Sequence, residues 1–464
     1  MTDARLTVPR SGMGRRDGAI VGGKNASLGE MITKLDAVGV RVPPGFATTS
    51  HAYWTFIDAN GLRDVIARLV ASLRDDLANL ASVGSEIRGH ILAGTMPGDL
   101  EAAVRSSYRD LADQSGRDVL VAVRSSATAE DLPEASFAGQ LESYLGVRGE
   151  QQLLDAVRRC FASLFTDRAI SYRINNGFDH MAVALSVGVQ RMVRSDLAGA
   201  GVAFTVDTET GFPRAVLVTA GVGLGETIVQ GMVEPDEYHV FKPLLANPAL
   251  SPIIHKECGS KLQKLICSLD SAASPTELVA TTRAERDAYV LGDDEVLQIA
   301  RWASAIEDHY GTAMDIEWAK DGETGELFIV QARPETVQST RRDSRFRTYS
   351  LRSHGSLLVS GLAIGEAIAT GPVCRLDHPG QIGEFQTGAI LVTGRTDPDW
   401  VPIMKRAAAI VTDHGGRTSH AAIVSRELGL PAIVGAQDAT GRLSDGQVVT
   451  VSCCEGDQGH VYEG

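Results

Sequence analysis

No uninterrupted apolar run of about 18 residues occurs in the 464-residue sequence, so it offers no candidate membrane-spanning helix. The early arginines Arg5, Arg10, Arg15 and Arg16 are followed by no apolar segment of the secretory type. Cysteine is scarce. Its six positions, 160, 258, 267, 374, 453 and 454, contain no Cys-x-x-Cys and no histidines at zinc spacing, which argues against a disulfide framework and a structural metal. Basic residues are outnumbered 44 to 58, a net charge of −14, which speaks against a polyanion as the main partner. There is no low-complexity segment and no visible repeat. These absences lead us to expect a globular, unexported, cytoplasmic protein that binds neither nucleic acid nor membrane.

What is present is enough for several cores: 44% of residues are hydrophobic, and at about 150 residues per domain the length suggests roughly three domains or large subdomains. Helix-like and strand-like segments alternate over the first 340 or so residues. Leu153, Val157, Phe161 and Phe165 fall on one helical face, and Ala182 to Met192 reads as a short apolar strand. Residues 337–356 are polar and arginine-rich and read as a linker. After them, 357–464 is a compact stretch of short β-like runs (389–392, 408–411, 447–451) with one clear helix. The fold class expected is mixed α/β and multidomain.

The densest chemical signal is the run from Gly415 to Gly429. A Gly-Gly turn leads to Thr418 or Ser419 as N-cap, and Gly429 with Pro431 ends the helix, so His420 lies in the first turn. Backbone N–H groups and the positive end of the macrodipole there favour neutral imidazole, the nucleophilic form, and stabilise an anion. Arg417, three residues back, is a second anion contact, so the run suits a histidine that takes and gives a phosphoryl group; a histidine that merely starts the helix is the alternative. His414 reads as structural or exposed.

A second signal is a β-hairpin. Asp315 to Ala319 and Glu326 to Pro334 flank the turn-rich residues 320–325. A register symmetric about Thr324 puts Asp315, Glu317, Gln331 and Arg333 on one face and Ile316, Trp318, Phe328 and Val330 on the other. Hard oxygen donors beside an arginine fit a magnesium–nucleotide site, and a surface hairpin with a cross-strand ion pair fits as well. Near the start, Gly22-Gly23-Lys24 sets a lysine at a glycine turn before a helix, without the spacing of a Walker A loop. The strand 118–123 ends at Arg124, and the small-residue loop 135–140 could fold over phosphates.

Several long segments, in order, carry a resemblance. They include GGKNASLGEMI (22–32), VRSSATAEDLPEASFAGQ (123–140), VQRMVRSDLAG (189–199), GLGETIVQG (223–231), the hairpin (315–336), TDPDW (396–400) and GGRTSHAAIVSRELGLPAIVG (415–435). Together they resemble the phosphoenolpyruvate synthases, or pyruvate, water dikinases, relatives of pyruvate phosphate dikinase. The resemblance implies an ATP-grasp nucleotide-binding domain over 1–336, in two subdomains with a break near 190–205, and a swivelling phosphohistidine domain over 357–464. It implies that Lys24 and Arg124 contact ATP phosphates, that Gln190 and Met192 line the adenine hinge, and that Arg333 contacts phosphate. Glu317 and Gln331 would hold Mg²⁺, Arg417 and Thr418 would contact phosphate near the histidine, and His420 would be the phosphorylated residue.

In the reaction so implied, ATP phosphorylates His420 with release of AMP and phosphate, and pyruvate takes the phosphoryl group. The family's pyruvate-binding barrel is expected to be missing from this chain or separate from it. Transfer to another small-molecule acceptor, and a non-catalytic nucleotide-binding interaction module, are the alternatives.

Overall fold

The computed structural model describes residues 5–74, 77, 79–115, 119–128, 142–208, 210–247, 249–268, 275–335, 349–417 and 419–464. Thr418, the loop 135–140 and residues 337–348 of the expected linker therefore lie outside the described residues. The chain separates into two units. One comprises Met1–Arg194, Cys267–Glu277 and Leu327–Pro334; the other comprises Ser195–Ile266, Leu278–Glu326 and Glu335–Gly464.

The first unit is built on a five-stranded antiparallel sheet in the order Thr7–Pro9, Gly45–Thr48, Leu185–Arg191, Leu120–Ala127, Ser143–Arg148. Alternation decides which residues face the core. Val121, Val123, Val187, Val189 and Phe46 join Leu153, Val157 and Phe161 of the helix Glu150–Ser163 in one cluster of buried side chains. The other sheet face carries Gln190, Ala122, Arg124, Ser126 and Ser186 and is overlain by the helix Gly23–Lys34, whose Asn25 Nδ2 donates to Ser186 Oγ at 3.0 Å.

Two glycines make that overlay possible. A Cβ on Gly188 would lie 2.2 Å from Asn25 Oδ1, and one on Gly22 would lie 2.2 Å from Ser126 Oγ, where φ is also +75°.

In the second unit, strands Met314–Lys320, Gly199–Phe204, Ala215–Val222, Asp236–Phe241 and Ile253–Glu257 form consecutive antiparallel pairs. The helix Asp293–Tyr310 buries Val296, Ile299, Trp302 and Ile306. The unit also holds a closed barrel of seven strands, in the order Leu357–Ile364, Ala432–Val434, Ala409–Thr412, Ile390–Thr393, Ile368–Arg375, Val448–Ser452, Gln458–Glu463. Its central strands 390–393, 409–412 and 432–434 run parallel and are buried on both faces. Ile390, Val392, Ala409, Val411 and Ile433 belong to one core cluster, while the alternate residues Leu391, Ile410, Ala432 and Val434 pack with Ala421, Ala422 and Val424 of the helix His420–Leu428. That packing fixes the His420 helix against the barrel.

The strand Leu327–Pro334 departs from the alternation expected of it. Phe328 is buried, yet so are Ile329, Gln331 and Ala332 on neighbouring positions, and Val330 is only half-buried. Other parts of the first unit meet the backbone of this strand: Ser27 Oγ on the helix Gly23–Lys34 donates to Ala332 O at 2.8 Å, and Ile329 N donates to Arg41 O at 2.8 Å. Of its polar positions, Gln331 is buried and Arg333 half-buried. Among the described residues no helix is long and apolar enough to cross a membrane, and no cysteine forms a disulfide.

Candidate functional site

Two groups of expected site residues occur, one in each unit. In the first unit, register brings them onto one sheet face. Gln190 lies opposite Ala122 and Gly45; Arg124, two residues along its strand, lies opposite Gly188, and Ser126 opposite Ser186. Arg124 is half-buried and its Nη1 donates to Gln331 Oε1 at 3.4 Å. Lys24 stands half-buried in the first turn of the overlying helix, whose N-cap is Gly22 and has no side-chain cap. The strand Leu327–Pro334 adds the half-buried Arg333.

The electrostatics of this face invite a ligand. Among the described residues, both amide atoms of Gln190, which is 3% exposed, have no hydrogen-bonding partner, and neither has Ser126 Oγ. Burying an amide unpaired costs about 1–3 kcal/mol, so these atoms fit a polar molecule seated among them, under cationic side chains. Met192, expected beside Gln190, is buried and its sulfur accepts from Gly146 N at 3.1 Å.

In the second unit, Ser419 is the N-cap of the helix His420–Leu428, its Oγ accepting from Ala422 N at 3.4 Å, and Gly429 closes the helix with φ +68°. His420 is half-buried, and its Nδ1 lies 3.0 Å from Thr396 Oγ1. Thr396 is itself 3% exposed and comes from the TDPDW segment, 24 residues earlier. Sequence reasoning quoted that segment but gave it no role; a hydroxyl within reach of the imidazole was its only available signal. The hydroxyl can donate or accept here; in the tautomer whose Nδ1–H donates to it, the ring's lone pair is at Nε2.

Arg417, expected to face a phosphate, sits between carboxylates: its Nε is 3.5 Å from Glu237 Oε1 and its Nη2 2.9 Å from Asp457 Oδ1. Glu237 also meets His239 Nε2 at 2.8 Å. Burial lowers the affinity of His239 for a proton, but that hydrogen bond and the charges of Glu237 and Asp207 outweigh it, and its pKa is raised. The loop before the helix packs closely on residues 231–235. A Cβ on Gly231, where φ is +65°, would lie 2.4 Å from Ser419 Cβ, and one on Gly416 would lie 3.3 Å from Pro235 Cδ. His414 is exposed.

Glu317 is half-buried on the strand Met314–Lys320 of the second unit, whereas Gln331 belongs to the first. Among the described residues no group of three or more His, Cys, Asp or Glu could hold a metal ion. A carboxylate or an amide oxygen is a hard donor of the kind Mg²⁺ takes alongside water and phosphate oxygens.

Residues 18–352 match the family described as "Pyruvate phosphate dikinase, AMP/ATP-binding domain". The chain belongs to that family. Beside this AMP/ATP-binding domain, residues 385–456 match "PEP-utilising enzyme, mobile domain", which covers His420 and its helix. Proteins named phosphoenolpyruvate synthase are similar along nearly the whole chain: that of Synechocystis sp. is 53% identical across 97% of this chain, that of Aquifex aeolicus 51% across 96%, and that of Escherichia coli 51% across 97%. The matches take in 56%, 53% and 57% of those proteins, so the chain spans about half the length of the curated relatives.

Proposed function

We propose that this chain is the nucleotide-using and phosphohistidine portion of a phosphoenolpyruvate synthase-type phosphotransferase. ATP is bound through Lys24, Arg124 and Arg333, with Gln190 and Met192 at its base. Domain limits of 1–336 and 357–464, joined by 337–356, accompany this reading. Glu317 and Gln331 are the residues that would hold Mg²⁺, which when bound neutralises phosphate charge.

His420 Nε2 forms a bond to the β-phosphorus of ATP while the bond from that phosphorus to the α–β bridging oxygen breaks, and AMP leaves with the oxygen. Water then cleaves the terminal phosphate as orthophosphate, and a phosphohistidine remains. Pyruvate, through a barrel domain of the kind expected from the resemblance, is the acceptor. The catalytic contribution of the residues described is positioning and charge neutralisation, the terms that dominate phosphoryl transfer. Thr396 holds the ring in the tautomer that presents Nε2, and the helix start and the capped N–H groups around it stabilise the arriving anion.

The observation that carries this reading is the imidazole of His420 at the first residue of an N-capped helix with Nδ1 engaged by Thr396. Incubation with Mg²⁺ and ATP radiolabelled at the β-phosphorus leaves acid-labile, alkali-stable label on the peptide containing His420, with AMP formed in equal amount; label at the γ-phosphorus appears as orthophosphate. Formation of ADP instead of AMP, or retention of γ-label, contradicts the reading.

Thr396→Val tests the tautomer. Losing a hydrogen bond of about 1–2 kcal/mol predicts roughly 5- to 30-fold slower labelling. Its pH–rate profile is displaced while ATP affinity is unchanged; an unchanged profile assigns Thr396 to packing alone.

A further inference from the structure

Arg10 was not among the residues singled out from the sequence for chemistry, and its setting is unusual for an arginine. It is 2% exposed, directly after the strand Thr7–Pro9. Pro9 pairs with Phe46, so Arg10 comes level with Gly45, which pairs with Gln190, which pairs with Ala122. Read across the sheet, the paired row is Gly45, Gln190, Ala122, with Arg124 two residues beyond on the last of these strands, and Arg10 opens a short 3-10 helix just past the end of the first strand. Alternation sets Gly45, Gln190 and Ala122 on the face overlain by the helix of Lys24, and the Arg10 guanidinium is close enough to Arg124 for their charges to interact.

The turn holding Arg10 is pinned to that helix: its carbonyl oxygen is 2.8 Å from where a Cβ on Gly29 would stand. The side chain is only partly satisfied. Nη1 donates to Pro43 O at 3.1 Å, and among the described residues Nε has no partner and no carboxylate pairs with the guanidinium. Burial first, and then the charge of Arg124, lower its pKa to about 9. The two like charges disfavour each other, and an anion seated beside the buried Arg10 relieves that repulsion. The orphaned amide of Gln190 and hydroxyl of Ser126 lie on the same face, which marks the space as a seat for a polar ligand.

We propose that Arg10 is a second guanidinium of the phosphate seat, acting with Arg124 on the oxyanions of the nucleotide's phosphate chain. The assignment rests on the ATP reading above and extends it to a residue outside the recognised motifs. Arginine suits the task because its planar fork meets phosphate oxygens with directed, charge-assisted hydrogen bonds.

The test compares wild type, Arg10→Gln and Arg10→Lys by calorimetric titration with ATP, tripolyphosphate and adenosine. Arg10→Gln is expected to bind ATP and tripolyphosphate about 10- to 100-fold more weakly and adenosine equally well, with Arg10→Lys between it and wild type. Equal ATP affinity in all three proteins overturns the proposal. So does an equal loss for adenosine, which makes Arg10 a packing residue; circular dichroism and the melting temperature identify a variant that has simply not folded, and Arg10→Lys, which keeps the charge, then carries the comparison. If wild type holds tripolyphosphate in an Arg10-dependent way but gains nothing from the adenosine moiety, the nucleotide reading fails while the anion seat stands.

Discussion

His420→Ala is expected to take no phosphoryl label from ATP, a loss of at least about 10³-fold in labelling rate, while the dissociation constant for ATP stays within about twofold of wild type. The separation of the two effects follows from the architecture. His420 and its helix sit on the closed barrel, whereas Lys24, Arg124 and Gln190 belong to the five-stranded sheet and its overlying helix. Alanine is the best helix former, and Ser419 still caps the helix, so the fold around position 420 persists. His414→Ala is the matched control: that ring is exposed beyond the two glycines, and labelling should be unaffected. Mass spectrometry under alkaline conditions reads both. Full labelling of His420→Ala removes the residue from its assigned role, and with it the reaction scheme built on Nε2.

The largest effect on stability is expected from Asp236. Its carboxylate is fully buried, accepts hydrogen bonds from Gly259 N at 2.9 Å and Val290 N at 2.7 Å, and pairs with the ammonium of Lys261, which is likewise buried. Lys261 Nζ also reaches Gly259 O at 3.0 Å and Cys258 Sγ at 3.2 Å. A buried ion pair contributes little net stability over an apolar pair of the same shape, but deleting one member strands the other charge. Asp236→Ala is therefore expected to lower unfolding stability by about 3–5 kcal/mol, measured by urea titration, and the double variant Asp236→Ala/Lys261→Met to recover much of that loss. A loss below about 1 kcal/mol for the single variant contradicts this account. The segment matters beyond stability, since Pro235 and Glu234 next to Asp236 lie against Gly416 and Gly435 of the barrel.

Local features were the most legible in the sequence. An N-cap at Thr418 or Ser419, Gly429 as terminator and His420 in the first turn follow from residue types within a dozen positions, and the structure selects Ser419 as the cap. The strand positions 390–393, 409–412 and 448–452 were visible because both-sided burial or alternation leaves apolar runs. What escaped depends on long-range register. Thr396 reaches His420 because parallel strands 390–393 and 409–412 lie side by side, and nothing near either residue announces that. Arg10 is brought near Arg124 only through three successive strand pairings. The strand Leu327–Pro334 carries buried residues at adjacent positions, so its burial pattern does not itself mark a polar face. Arg417 shows the limit for charges, since its carboxylate partner Glu237 is 180 positions away.

The ring closure of the barrel has one more consequence. A sheet that meets itself has no border strand, so its backbone N–H and C=O groups find partners within the ring instead of waiting for a stranger's. A domain closed in this way presents no open edge as a template for cross-chain β-pairing or aggregation.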